Sequence, residues 1–179
     1  MKKNNKGFTL LEMVIVVAIM GIVLVSVGLG INVIFSNKAK SVSRDIYNML
    51  GTAQTMGMSK DNVYFYLSCK DGNMETGIAT EKGGKINKIE SDSLSSKVTV
   101  KMWVSASGGG TDRVLTDGSG VLIGFNRSTG AFKGCYAYAG GDTKGAALPN
   151  ITNIRVNQGS TEFKINLSYT NGKFYYEYV

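Results

Sequence analysis

Glu12 is the residue whose placement carries the most chemistry. It follows a short basic stretch, residues 1–7 with Lys2, Lys3 and Lys6, that ends at Gly7. It also sits near the start of an apolar run over residues 8–35, and no further charge occurs before Lys38. A carboxylate at bilayer depth costs about 2.5–3.5 kcal/mol on insertion scales. Something must offset it, and another copy of the chain is the nearest source of a partner. Other reactive types are sparse. The chain has no histidine, so the commonest general base and metal ligand is missing. Its two cysteines, Cys69 and Cys135, are not near each other in sequence as a zinc site's paired ligands are. Outside a reducing compartment they could close one disulfide, or they could be small apolar side chains in strands. Asp112 and Asp117 lack the ligand spacing of a calcium loop and read as soluble loop acids. The glycines at 108–110 lack the lysine and hydroxyl of a phosphate loop. No catalytic set emerges, and the expectation is a protein that is not an enzyme and uses no metal or cofactor.

The apolar run has three cut-or-keep readings. A secretory signal would be cleaved after the run, and Ser26-Val-Gly28 offers small residues, yet the run continues to Phe35. A plain anchor would keep its lysines inside, which accounts for Lys2, Lys3 and Lys6 but not for Glu12. A third reading accounts for both. Gly7-Phe8-Thr-Leu-Leu-Glu12, behind a basic leader and ahead of unbroken hydrophobics, resembles the prepilin leader motif of type IV pilins and type II secretion pseudopilins. The resemblance implies that a prepilin peptidase cuts after Gly7 and methylates the new amino terminus at Phe8. It makes Glu12 the family's charged assembly position. It further implies other pilin subunits in a helical filament and an inner-membrane assembly platform as partners. The precursor would cross the membrane once with its N-terminus in the cytoplasm, and the mature chain would stand on the cell surface.

Physical chemistry gives that motif a purpose. Cleavage before the apolar run keeps the run on the mature protein and creates a cation at Phe8. A neighbour's Phe8 amine can then neutralise Glu12, and breaking such a buried pair costs about 3–5 kcal/mol. Many members of the family carry a proline partway along this helix. Here the single proline is Pro149, and Gly28-Leu-Gly30 stands in that region instead. Glycine weakens a helix by about 1 kcal/mol relative to alanine, so residues 26–32 are expected to bend or unwind in a fibre.

The elements that must position these residues follow from periodicity. Val42, Ile46, Met49, Leu50, Ala53 and Met56 form one helical stripe. With the apolar run this predicts one helix from Phe8 to about Lys60. Beyond Asn62 the pattern turns to strands at 63–69, 97–104, 120–125, 131–136, 151–157, 162–169 and 173–179. Residues 126–130 read as a hairpin loop, and Asn171-Gly172 as a tight hairpin. Residues 105–110 and 139–145 read as loops, and 71–96 as a short hairpin at Gly83-Gly84 followed by loop. One helix followed only by strands is an α+β domain, the helix packed on antiparallel sheet, which is the pilin-like architecture. The layout is leader 1–7, membrane or filament-core helix 8–35 and globular domain 36–179, whose amphipathic helix covers 36–60. The strand order and the hairpin at 126–130 resemble the H-type minor pseudopilins and their pilus counterparts.

Charge opens a second function class. Of 20 basic and 13 acidic residues, three lysines and Glu12 precede residue 36, which leaves 17 against 12 and a net charge of +5. A solvated surface explains that value. So would a DNA-binding or surface-binding pilin gripping its ligand through Lys82, Lys85, Lys88 and Lys144. Tyr175, Tyr176 and Tyr178 crowd the last strand, either as sheet formers or as an exposed contact surface.

Overall fold

The structure, a computed structural model, describes residues 9–106 and 109–179, and the side chains of all of these except 25–36 and 106. It is an α+β protein. Helix α1 (Leu10–Ser59) is followed by β1 (Val63–Lys70), β2 (Asn73–Lys82), β3 (Lys85–Leu94), β4 (Thr99–Ala106), β5 (Gly109–Val114), β6 (Ser119–Phe125), β7 (Phe132–Ala137), β8 (Ala147–Leu148), β9 (Ile151–Gln158), β10 (Thr161–Leu167) and β11 (Phe174–Tyr178). The bend expected over residues 26–32 falls among side chains outside this description.

The strands form two sheets, every recorded pairing antiparallel. The first runs β3-β2-β1-β6-β7-β8 and the second β11-β10-β9-β4-β5. The chain therefore changes sheet three times, after β3, β5 and β8. Their inner faces and the helix share one core. Val42, Ile46, Leu50 and Ala53 from the helical stripe are buried against Phe65, Leu67, Val121 and Ile123 of the first sheet and Val100, Ile154, Val156 and Ile165 of the second. Burying Val42, Ile46 and Leu50 contributes about 1.5–3 kcal/mol each, an upper estimate because unfolded chains already hide some apolar surface. Met49 and Met56 pack at the margin of this core. The helix stops where Lys60 leaves helical geometry (φ −130°, ψ 145°) and its N–H closes on the Met56 carbonyl.

Three sequence expectations need correction. Residues 71–96 are two full strands rather than a short hairpin and loop. They are turned by Asp71-Gly72, both at positive φ (52° and 73°), and by Gly83-Gly84 (62° and 77°), the geometry of two-residue hairpin turns. The glycine-rich stretch expected as a loop at 105–110 is largely strand. Gly110 belongs to β5 because Trp103 lies over it: a Cβ there would stand 2.2 Å from the indole nitrogen. A large ring covering a glycine restores the packing that glycine lacks. Asn171-Gly172 does turn β10 into β11, but not as a tight two-residue loop. Ser168 N–H donates to the Lys173 carbonyl and Gly172 N–H to the Ser168 carbonyl. This wider turn lets Tyr169 reach inward, where its hydroxyl accepts from Ile151 N–H at 3.1 Å and lies 2.7 Å from Cys135 Sγ.

Candidate functional site

The start of α1 is built as a cap around Glu12. Thr9 is the N-cap, in extended geometry (φ −77°, ψ 153°). Its Oγ1 accepts from Glu12 N–H at 3.2 Å, while Glu12 Oε2 accepts from Thr9 N–H at 2.7 Å and from Thr9 Oγ1 at 3.0 Å. This capping box satisfies backbone donors that a helix start leaves unpaired, and the carboxylate also complements the helix dipole. All three bonds stay within one chain. The bonds to the carboxylate fall on Oε2, and a carboxylate has about four acceptor positions, so the cap leaves acceptor capacity for an incoming cation. Thr9-x-x-Glu12 is readable as a capping box in sequence, although the family likeness drew attention to Glu12 alone.

Around this carboxylate the helix is apolar on every side and bare. Each residue from 9 to 24 is exposed, with Leu10 at 84 % and Leu24 at 73 %. A helix that is hydrophobic all round belongs inside something, and a contiguous apolar surface of this kind marks a protein or membrane contact. Among the described residues no helix is long and apolar enough to cross a membrane. Gly7 and Phe8, the expected cleavage and methylation positions, lie outside the described residues.

The remaining candidates are placed as follows. Cys69 and Cys135 are buried free thiols, not the disulfide left open by the sequence. Cys69 stands opposite Ser119 and Cys135 opposite Ile123, on the two sides of β6. Four residues along the strand and two strand spacings put their Cα atoms about 16 Å apart, against the roughly 4.4–6.8 Å a disulfide spans. Burial pushes both thiols up from their ordinary value. Asp112 is not in a loop but on β5, ion-paired with Arg155, whose guanidinium also lies 5.4 Å from the Trp103 ring centroid. Asp117 accepts from Gly72 N–H at 3.2 Å. Tyr175 and Tyr178 are exposed at 59 % and 66 %, and Tyr176 is stacked on Phe163.

Of the four lysines expected in loops, Lys82 ends β2, Lys85 and Lys88 lie on β3, and Lys144 alone is in a loop, the one after β7. Two are already engaged. Lys88 pairs with Glu75, and Lys144 Nζ donates to Glu81 Oε2 at 2.6 Å. That bond raises the Lys144 pKa and holds the Glu81 carboxyl below its usual value. Beneath them a second buried cluster, Tyr64, Tyr66, Ala79, Ile86, Leu122 and Tyr138, covers the outer face of the first sheet. Sequence reasoning also passed over Gln54. Its amide donates to the Gly130 and Gly172 carbonyls, each at 2.7 Å, and so ties the helix to a hairpin of each sheet.

With this geometry in view, comparison with known families gives one result. Residues 2–28 match the prokaryotic N-terminal methylation motif, the prepilin leader motif of type IV pilins and pseudopilins. No curated protein and no solved structure matches the chain.

Proposed function

We propose that this chain is a structural subunit, of the minor kind, in a type IV pilus or related pseudopilus filament. The methylation motif over residues 2–28 supports a pilin-like precursor, a membrane anchorage for it and processing by a prepilin peptidase. The observation that carries the proposal is the bare apolar helix over residues 10–24 with one pre-positioned carboxylate, Glu12, at its start. In the proposed cycle residues 8–35 anchor the precursor in the membrane. Cleavage after Gly7 frees the Phe8 amine, which is methylated. The helix then leaves the bilayer for the filament core, one continuous rod into the domain, and each Glu12 meets a neighbour's Phe8 amine. That pairing fixes the axial register between subunits, because a mispaired carboxylate in the core costs several kcal/mol. The sheets are displayed outward. The H-type likeness of the strand order favours a subunit that initiates or caps the filament over one that forms its shaft.

The test is Glu12→Ala in the cell. Processing continues, because the cut lies at Gly7, while the amount of chain recovered in sheared filaments falls at least tenfold. Recovery at the wild-type level removes Glu12 from assembly and with it the register argument. The DNA-binding or surface-binding alternative ranks second, since Glu75 and Glu81 already neutralise Lys88 and Lys144.

A further inference from the structure

The outer face of the first sheet carries a trench that the filament reading does not use. Gly124 on β6 and Gly134 on β7 are register partners, in the same cross-strand row as Tyr64 on β1. Neither projects a side chain, which lets the rings of Tyr64 and Tyr136 lie close to the strands: a Cβ on Gly124 would stand 3.1 Å from the Tyr64 ring, and one on Gly134 3.6 Å from the Tyr136 hydroxyl; glycine in a strand often marks a place where another group approaches the backbone closely. Tyr64 and Tyr136 line one side of it as an edge-to-face pair, their ring centroids 6.1 Å apart and nearly perpendicular. The loop after β7 brings Lys144 across them, its Nζ 4.6 Å from the Tyr136 centroid and 5.3 Å from that of Tyr64. Glu81 receives both Lys144 Nζ and the Tyr64 hydroxyl, at 2.6 and 2.9 Å. A bulge between Gly124 and Phe125 leaves Lys133 without a register partner on β6. Lys133 is exposed and lines the same cavity, whose volume is about 380 Å³. Bulges commonly re-aim a side chain at a site rim.

The lining decides the ligand class. The volume lies within the range of small-molecule pockets, about 300–1,000 Å³, but most such pockets are largely apolar. Here ammonium, carboxylate, phenol and amide groups alternate, so the matching ligand offers several donors and acceptors at once, as a polyhydroxylated ring does. The charges are Lys133 and Lys144 against Glu81. Lys144 is committed to Glu81, so one positive charge, that of Lys133, is left over. We propose that this trench binds a sugar ring carrying a single carboxylate, the ring lying among Tyr64, Glu81, Tyr136 and Lys144 and its carboxylate meeting Lys133. The ring hydroxyls then exchange hydrogen bonds with Glu81, Lys144 and Tyr136.

The test uses the full mature chain in a detergent without a sugar headgroup, with glucuronate as probe and ligand-observed NMR as readout. Glucuronate binds saturably with a Kd on the order of 1 mM. Glucose and acetate, which each supply half of the recognition, bind at least about tenfold more weakly. Lys133→Glu weakens glucuronate about tenfold or more, Lys133→Ala does so to a smaller extent, and Lys133→Arg retains binding; because Lys133 is exposed, all three variants keep the wild-type melting temperature. Absence of saturable glucuronate binding overturns the proposal. So does equal binding of glucose, or binding that Lys133→Glu leaves unchanged.

Discussion

Replacing Gln54 by alanine tests how the two sheets are held to the helix. The Gln54 amide spends both its hydrogens on the carbonyls of Gly130 and Gly172, each at 2.7 Å. Gly130 ends the β6–β7 turn of one sheet, and Gly172 lies in the β10–β11 turn of the other. These turns touch backbone to backbone: a Cβ on Gly172 would stand 2.5 Å from the Gly130 oxygen. Two carbonyl groups converge there, and a single partly buried amide satisfies both. A net hydrogen bond contributes about 0.5–1.5 kcal/mol, so Gln54→Ala is expected to cost about 1–3 kcal/mol. For a domain of this size that lowers Tm by about 3–10 °C. Gln54→Glu sharpens the test. It keeps the shape but places a donorless carboxylate against two carbonyl oxygens, so at neutral pH it costs more than alanine does. On acidification the protonated acid regains one donor and the gap narrows. Thermal and urea denaturation followed by circular dichroism read all three chains. A Gln54→Ala variant within about 0.5 kcal/mol of wild type, the range of ordinary surface changes, refutes the reasoning. So does a Gln54→Glu variant as stable as wild type at pH 7.

Other consequences follow from single contacts. Gly120→Ala would set a methyl group 2.5 Å from the backbone oxygens of both Leu67 and Tyr138; with no flexible side chain to yield, the variant should lose several kcal/mol in urea denaturation, on the scale of severe core overpacking. Because Cys69 and Cys135 are free, reductant should leave Tm unchanged, and alkylation of the unfolded chain should label both thiols without prior reduction. The Lys144 bond holds the Glu81 pKa below its ordinary 4.5. A lowered carboxyl contributes stability above its unfolded value and loses it as the pH falls through the folded one. The stability difference between wild type and Glu81→Gln should therefore be constant near neutrality and shrink below about pH 4.5, which denaturation at a series of pH values will show.

How much of this was legible depended on how local the signal was. The helical stripe from Val42 to Ala53 and the alternation Val98, Val100, Met102, Val104 are buried as their periods require, because one buried face dictates each pattern within a few residues. Asp71-Gly72, between β1 and β2, carried an equally local hairpin signal, yet β2 is rich in polar residues, and β3, beyond Gly83-Gly84, mostly faces solvent and shows no apolar alternation. β5 was hidden for another reason. A glycine-rich strand is stable there only because Trp103, from a different strand, covers Gly110. The division into two sheets was out of reach, since it depends on which distant strand each segment returns to. The separation of the cysteines depends on the same pairing. At the candidate sites the contrast repeats. Glu12 was legible from its neighbours Gly7, Phe8 and Thr9, whereas the trench needs Tyr64, Gly124, Lys133 and Lys144 brought together from four separate segments.

Mass spectrometry of the chain recovered from sheared surface filaments tests the central claim most directly. Lys6 and Lys38 are consecutive basic residues, so trypsin releases the mature N-terminus as one peptide, residues 8–38. The account predicts that this peptide is present in the filament fraction, begins at Phe8 and is one methyl group heavier than its sequence. A chain found only in the membrane fraction, with residues 1–7 still attached and no methylation at Phe8, contradicts it.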